Sequence, residues 1–203
     1  MKKLSLLLLV CMSLLKAQKL TRNELSIINH GNSDTALPIY QVNDPQQAKT
    51  LLSLSSEIDP NDPHTETLVK RMKLSLLSTD GGVGIAAPQV GVNRKIIWVQ
   101  RFDKEGKPLE YFINPVILWS SDLKNLGPEG DLSIPDFRDV FYRSKVIQLE
   151  YSDLKGNKHR EIVEGFTAVI FQHEIDHLFG ILISDKKEKE RNDVYNKVDA
   201  YIK

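Results

Sequence analysis

His173-Glu174-Ile175-Asp176-His177 constrains this chain more than any other stretch of it. Two histidines four residues apart on a helix stand on one face, a turn apart, so two imidazoles can grip one metal ion. A glutamate beside the first histidine is placed to move protons on and off an attacking water. The chemistry implied is metal-assisted hydrolysis. The plain alternative is a pair of satisfied core histidines. A lone histidine would favour it, but two at this spacing with a glutamate between them favour a metal.

The chain has 203 residues, enough for one domain with a real core. Lys+Arg is 27 and Asp+Glu is 27, so nothing in the charge balance points to nucleic acid or an anionic surface as partner. Lys2 and Lys3 precede a mostly apolar run from Leu4 to Leu15, and Lys16-Ala17-Gln18 follows. This basic, apolar, small-residue order predicts a secretory signal over 1–17, cut after Ala17, and hence an exported protein. The run is too short for a stable membrane span. A lipid anchor at Cys11 is the weaker reading, because Val10 is bulkier than the small residue expected before it; a buried N-terminal helix is the plain one. Cys11 is the only cysteine, so the chain without its signal has none. Disulfides, and cysteine as ligand or nucleophile, are then excluded.

Residues 18–36 are polar without a clear period and read as an arm or linker; 37–203 read as the catalytic domain. Leu37 to Tyr40 reads as a short edge strand and Pro45 to Ser53 as a helical turn. His64 to Ser78 reads as an amphipathic helix with Leu68, Met72 and Leu76 at helical spacing, Pro63 suiting its start. Lys95 to Arg101 and Tyr111 to Trp119 read as strands joined by a loop over Asp103 to Pro108. Val146 to Tyr151 and His159 to Glu164 read as a second pair around Lys155-Gly156-Asn157. Gly165 to Phe179 reads as the helix that carries both histidines, with Gly180 ending it. Ile181 to Ile183 is expected as a short strand, followed by a charged helix with Val194 and Val198 on one side. Strands and helices do not alternate regularly, so the expected class is α+β, with antiparallel sheets around a central helix carrying the histidines.

Phe166, Val169, Ile170, His173 and His177 form one stripe of that helix, read as its buried face. Zinc hydrolases usually supply three protein ligands, so one more must come from elsewhere. The late acids Asp185, Glu188, Glu190 and Asp193 lie on a solvated stretch. Gly127-Pro128-Glu129-Gly130-Asp131-Leu132-Ser133, read as a tight glycine-bearing turn with a carboxylate in it, is the better place to look. Gly82-Val83-Gly84-Ile85-Ala86-Ala87-Pro88-Gln89 is not a dinucleotide loop, since Pro88 and a strand follow rather than a helix N-terminus. Its small residues instead let backbone approach another element closely.

Together these three segments, in this order, resemble the peptide deformylase family, whose pattern is G-x-G-x-A-A-x-Q, E-G-C-L-S and H-E-x-x-D-H. The likeness runs from about residue 37 to 185. It implies that His173 and His177 are metal ligands and Glu174 the catalytic acid and base. It implies that Gln89 and the backbone N–H of Leu132 hold the formyl oxygen, and that Gly84 aligns the peptide. Asp176 looks like a supporting partner of the ligands, and Arg138 falls near the family's substrate-side arginine, with a solvated surface the alternative. The departure is Asp131, where the family has its cysteine ligand. Thiolate and carboxylate carry the same charge, but the reach differs, so the metal or loop must shift or the carboxylate fold back.

The resemblance implies one divalent cation, Fe2+ or Zn2+, which two histidines and a carboxylate can both hold. It implies N-formylated peptides as substrates and release of formate, with Val169 and Ile170 helping to form the pocket for an N-terminal methionine. The expected state is a monomer with no nucleic-acid partner. The rivals are a weak or inactive homologue that binds formyl-peptides or metal outside the cytoplasm, a general metallopeptidase, and a purely structural metal domain.

Overall fold

Helix α3 (Pro63–Leu77) shows how local chemistry sets an element here. Asp62 caps it by accepting from the His64 N–H, and Pro63 occupies the first position, where no amide is needed. Its Leu68, Val69, Met72 and Leu76 are buried, as their spacing predicts. The computed structural model describes residues 18–190; the proposed signal over 1–17, together with Val194 and Val198, lies outside the described residues. Two shorter helices, α1 (Arg22–Asn29) and α2 (Pro45–Leu51), precede α3.

Five antiparallel strands make the main sheet in the order β1 (Gly84–Ala86), β2 (Ile96–Gln100), β3 (Leu109–Ser120), β6 (Val146–Ser152) and β7 (Lys158–Glu164). Strand β2 is buried on both faces. Its Ile96 and Trp98 join the core under α3, while Ile97 and Val99 join the core under helix α4 (Gly165–Leu178). The sheet is therefore held between two helices, and α4 lies across β1 and β2. Two further strands, β4 (Lys124–Asp131) and β5 (Ile134–Ser144), pair only with each other. Mixed helices and antiparallel sheets around the histidine helix are the α+β class expected.

Four local expectations are corrected. Gly127 to Ser133 is the second half of β4 followed by a two-residue turn, Leu132-Ser133, rather than one long turn. Leu37 to Tyr40 is extended but pairs with no strand: the Leu37 amide donates to Ser75 Oγ and the Tyr40 amide to the Gln89 carbonyl. Ile181 to Ile183 is not a strand either. Gly180, at φ +67°, lets the chain turn so that the Ile181 amide reaches the Asp176 carbonyl, and Ile183 opens helix α5 (Ile183–Glu190). The arm over 18–36 contains α1, which docks on the domain with Ile28 buried in the core and Leu20 and Ile27 against it. Thr21 and Glu24 form a capping box, and buried Arg94 binds the Glu24 carboxylate and the carbonyls of Gln18 and Lys19. Buried Arg71 takes the carbonyls of Ile28 and His30.

Candidate metal centre

Helix α4 and strand β4 bring the site together. The stripe Phe166, Val169, Ile170 and His173 does not face the core alone: Ile170 packs into it, but all four also border open space. It lines a cleft of about 580 Å³, and Phe166 is half exposed. The core side of α4 is formed by Ala168, Ile170, Phe171, Ile175 and Leu178. His177, one turn below His173, is the histidine that is fully enclosed. Along β4, Glu129 and Asp131 are two apart and so point the same way, toward α4.

Asp131, His173 and His177 each offer one ligand atom, and these atoms all lie within 4.8 Å of one another. His177 Nε2 stands 3.6 Å from Asp131 Oδ2. Two donors about 2.1 Å from one tetrahedral cation would sit roughly 3.4 Å apart, so this spacing suits a shared ion. Asp131 Oδ2 and both ring nitrogens of His177 are buried without a hydrogen-bond partner among the described residues. Buried polar atoms left in this way are costly, and a cation would satisfy those turned toward it. The three residues therefore fit a divalent metal. The Asp131 carboxylate does fold back: its Oδ1 accepts from the Ser133 amide at 2.8 Å, leaving Oδ2 toward the histidines.

The two histidines are held differently. His173 Nδ1 lies 2.9 Å from Glu129 Oε2, which leaves the other ring nitrogen for a metal. Burial works against charge on His173, but the Glu129 hydrogen bond and the nearby Glu174 and Asp131 carboxylates prevail, raising it to about 9. His177 has no such partner, and burial lowers it to about 4. Glu129 is buried too, yet Arg143 and His173 hold it down at about 2. Arg143 grips both Glu129 oxygens at 2.7 Å and also pairs with Asp176. Asp176 thus supports the site at one remove, through Arg143.

Glu174 Oε2 is another buried oxygen with no partner. Burial raises this acid to about 8; the Asp131 and Glu129 charges add to the rise. Its carboxyl lies against Gly84, where a Cβ would stand 2.3 Å from Oε1, so only glycine leaves it room. Gln89 donates from Nε2 to Asp131 Oδ1 and Ser133 Oγ, while its Oε1 accepts from the Ala86 amide. Leu132 and Arg138 line the same cleft, Arg138 on its exposed rim opposite Gly130. Every residue singled out in the sequence for metal, catalysis or substrate therefore converges on one place. Glu129 and Arg143 were missed. Glu129 stood inside a quoted motif, and its two-residue spacing from Asp131 was the available signal; for Arg143 there was none.

A two-histidine helix, a carboxylate from a facing strand and a buried unpaired glutamate define a metallohydrolase centre on an α+β scaffold. The family model described as polypeptide deformylase matches residues 36–193. The peptide deformylase of Maricaulis maris is 39% identical over 137 residues, covering 66% of this chain and 78% of that protein. That of Phenylobacterium zucineum is 35% identical over 156 residues, 75% of this chain and 91% of that one. Among solved structures, the Met-Ala-Ser-bound class I type b peptide deformylase of Acinetobacter baumannii superposes with a TM-score of 0.66 at 31% identity, over 74% of this chain and 98% of that one. The Thermotoga maritima peptide deformylase gives 0.66 at 33%, over 74% and 96%. This chain belongs to the peptide deformylase family, whose members are metal-dependent hydrolases.

Proposed function

We propose that this protein is an exported, metal-dependent hydrolase that removes the formyl group from N-formylmethionyl peptides, with Asp131, His173 and His177 holding one Fe2+ or Zn2+. The observation that carries this reading is the set of buried, partnerless atoms that converge from helix α4 and strand β4: the His177 ring and Glu174 Oε2 from the first, Asp131 Oδ2 from the second. A purely structural metal domain would give Glu174 no reason to be buried without a partner.

A divalent cation here would supply Lewis acidity and make water a nucleophile near neutral pH. Glu174 stands at about 8, so it keeps its proton in the cation-free protein and becomes a base once positive charge is placed beside it. It takes a proton from the attacking water as the new C–O bond forms at the formyl carbon. The Leu132 amide and Gln89 then hydrogen-bond the oxygen that becomes anionic, as the family pattern implies. Glu174 then returns the proton to the amine as the C–N bond breaks, freeing formate and a peptide. Val169, Ile170 and Phe166 offer the apolar wall for a methionine side chain. A related structure bound to Met-Ala-Ser supports a peptide in this cleft.

Export agrees with the exchange at 131. A metal-bound thiolate outside the cytosol is open to oxidation, and a carboxylate is not. The substrates would then be formyl-peptides outside the cytoplasm rather than nascent chains. Among the described residues no helix is long and apolar enough to cross a membrane.

The test is reconstitution with Fe2+ and Zn2+ separately, then hydrolysis of formyl-Met-Ala by wild type, Asp131→Cys and Glu174→Ala. Turnover by wild type that is lost in Glu174→Ala supports the reading. An inert wild type that gains activity as Asp131→Cys makes the chain a degenerate homologue instead.

A further inference from the structure

We propose that Gln89 is a positioning residue for the metal ligand, a role created by aspartate at position 131. This rests on the ligation by Asp131 set out above and adds a second duty to a residue otherwise assigned only to the substrate oxygen.

The amide of Gln89 is oriented without ambiguity. Its Oε1 accepts from the Ala86 amide at 2.9 Å, so the NH2 must point the other way. There it donates to Asp131 Oδ1 at 3.2 Å and Ser133 Oγ at 3.3 Å. Asp131 Oδ1 also accepts from the Ser133 amide at 2.8 Å. One carboxylate oxygen therefore has two donors, and the other, Oδ2, has none and is buried near His177. With Oδ1 held in this way, rotation about the terminal side-chain bond is blocked and Asp131 presents a single oxygen. A thiolate at 131 would have one ligating atom and no counterpart of Oδ1 for Gln89 to hold.

The backbone fixes both partners from outside. The extended segment after Leu37 donates from the Tyr40 amide to the Gln89 carbonyl at 2.8 Å and from the Val42 amide to the Ser133 carbonyl at 3.0 Å. Gln41 Nε2 reaches the Leu132 carbonyl at 2.9 Å. Three consecutive residues thus clamp the 3-10 turn that bears Gln89 (Ala87–Val90) to the turn that bears Asp131. The Gln89 NH2 has two N–H groups, so it can hold Oδ1 with one while the other exchanges Ser133 Oγ for a substrate oxygen.

The experiment is a cycle in the full-length protein: wild type, Gln89→Met, Asp131→Cys and the double variant. Co2+ affinity is measured by chelator competition, with the visible spectrum of the Co2+ protein alongside. Gln89→Met should weaken Co2+ binding about 10–100-fold in wild type and shift the spectrum, as loss of a ligand's supporting hydrogen bond does. In the Asp131→Cys background it should change neither. Equal losses in both backgrounds, or no loss in wild type, overturn the proposal and leave Asp131 ligation standing. Failure of wild type to bind Co2+ at all overturns the ligation itself. If Gln89→Met does not fold by thermal melting, Gln89→Glu replaces it. That variant keeps an oxygen for the Ala86 amide and sets a second carboxylate against Oδ1, and the same outcomes decide.

Discussion

Arg101 and Arg143 are equally buried, at 1% and 2% side-chain exposure, and each is surrounded by carboxylates. Both are pushed above the ordinary arginine value by those carboxylates in spite of burial. Arg101 is tied to Asp103, Glu110 and Glu161 and lies against the rings of Phe112 and Phe171. That network is closed. The Arg143 network has an open end: Glu129 passes from the guanidinium to His173, and beyond His173 lie the partnerless atoms of Asp131, His177 and Glu174. Burial and displaced titration mark both regions alike. What distinguishes the functional one is polar atoms that the protein has buried and not satisfied.

The strongest way to sharpen this contrast is Glu174→Gln. An acid or base in contact with the reacting group typically contributes about 10²–10⁴-fold to turnover. Glutamine at 174 should cost kcat in that range on formyl-Met-Ala while leaving metal content unchanged. It should not lower the melting temperature, because the wild-type carboxyl has a buried oxygen with nothing bound to it. A clear loss of stability would show that Glu174 is held as firmly as the acids around Arg101, and the contrast would fail.

Gly84→Ala tests the same glutamate without touching it. The added Cβ would fall 2.3 Å from Glu174 Oε1, so the carboxyl must move. A displacement of this size near the reacting atoms costs on the order of 10²-fold. The expected result is that loss in kcat, with a normal fold by circular dichroism. Unchanged kcat would mean that Glu174 already works from another position.

A paired substitution then compares the two arginine networks directly. Glu129→Ala strips Arg143 of its more buried partner, the one it grips with two hydrogen bonds, and should destabilise by about 3–5 kcal/mol, the usual result of breaking a buried ion pair. It should also weaken metal binding about 10–100-fold through His173. Glu161→Ala leaves Arg101 with Asp103 and Glu110 and should cost about 1–3 kcal/mol. It should not alter metal affinity. Chelator competition and urea melts on both variants decide, and an equal effect on metal would join the two networks into one.

Helix α4 was legible because its signal is periodic and its two histidines are chemically rare. Helix α3 and strands β2, β3, β6 and β7 were legible from pattern too: apolar residues repeat at 3.6 in α3 and at 2 in β6, β2 is a continuous β-branched and aromatic run, and turns such as Lys155-Gly156-Asn157 set off the pairs. Strand β4 was not. Gly127, Pro128 and Gly130 in Asn125-Leu126-Gly127-Pro128-Glu129-Gly130-Asp131 read as turn residues, yet they sit in a ladder with β5. Proline is tolerated there because β4 has only one partner strand, so an amide on its free edge is not required. The same mistake hid Glu129: in a turn its spacing from Asp131 means nothing, and in a strand it puts both on one face. The stripe on α4 was read as a buried face, which holds for Ile170 and His177 but not for Phe166, since an apolar helix face suits a ligand cleft as well as a core. The clamp from Tyr40 to Val42 works mainly through the Tyr40 and Val42 backbone amides, which leave no trace in side-chain pattern.

The mildest expected effect is on metal binding across pH. His173 is raised to about 9, chiefly by Glu129 acting against burial, while His177 at about 4 is already neutral at pH 7. A metal needs both imidazoles neutral on the nitrogen it takes, so near neutrality His173 must release one proton. Protons therefore compete with the cation below about pH 9: apparent affinity should rise roughly tenfold per pH unit between about pH 8 and 9, more steeply below, where Glu174 also gives up its proton, and flatten above. Glu129→Gln removes the charge that raises His173. The proton then leaves more easily, and the pH at which the curve flattens should fall toward the ordinary histidine value of 6.5. Isothermal titration with Zn2+ in buffers of different ionisation heat counts the protons released at each pH. A count at pH 7 that falls by about one in Glu129→Gln, with the Glu174 proton still released, ties His173 to Arg143 through Glu129. A count that Glu161→Gln lowers as much would show that the closed network reaches the site after all.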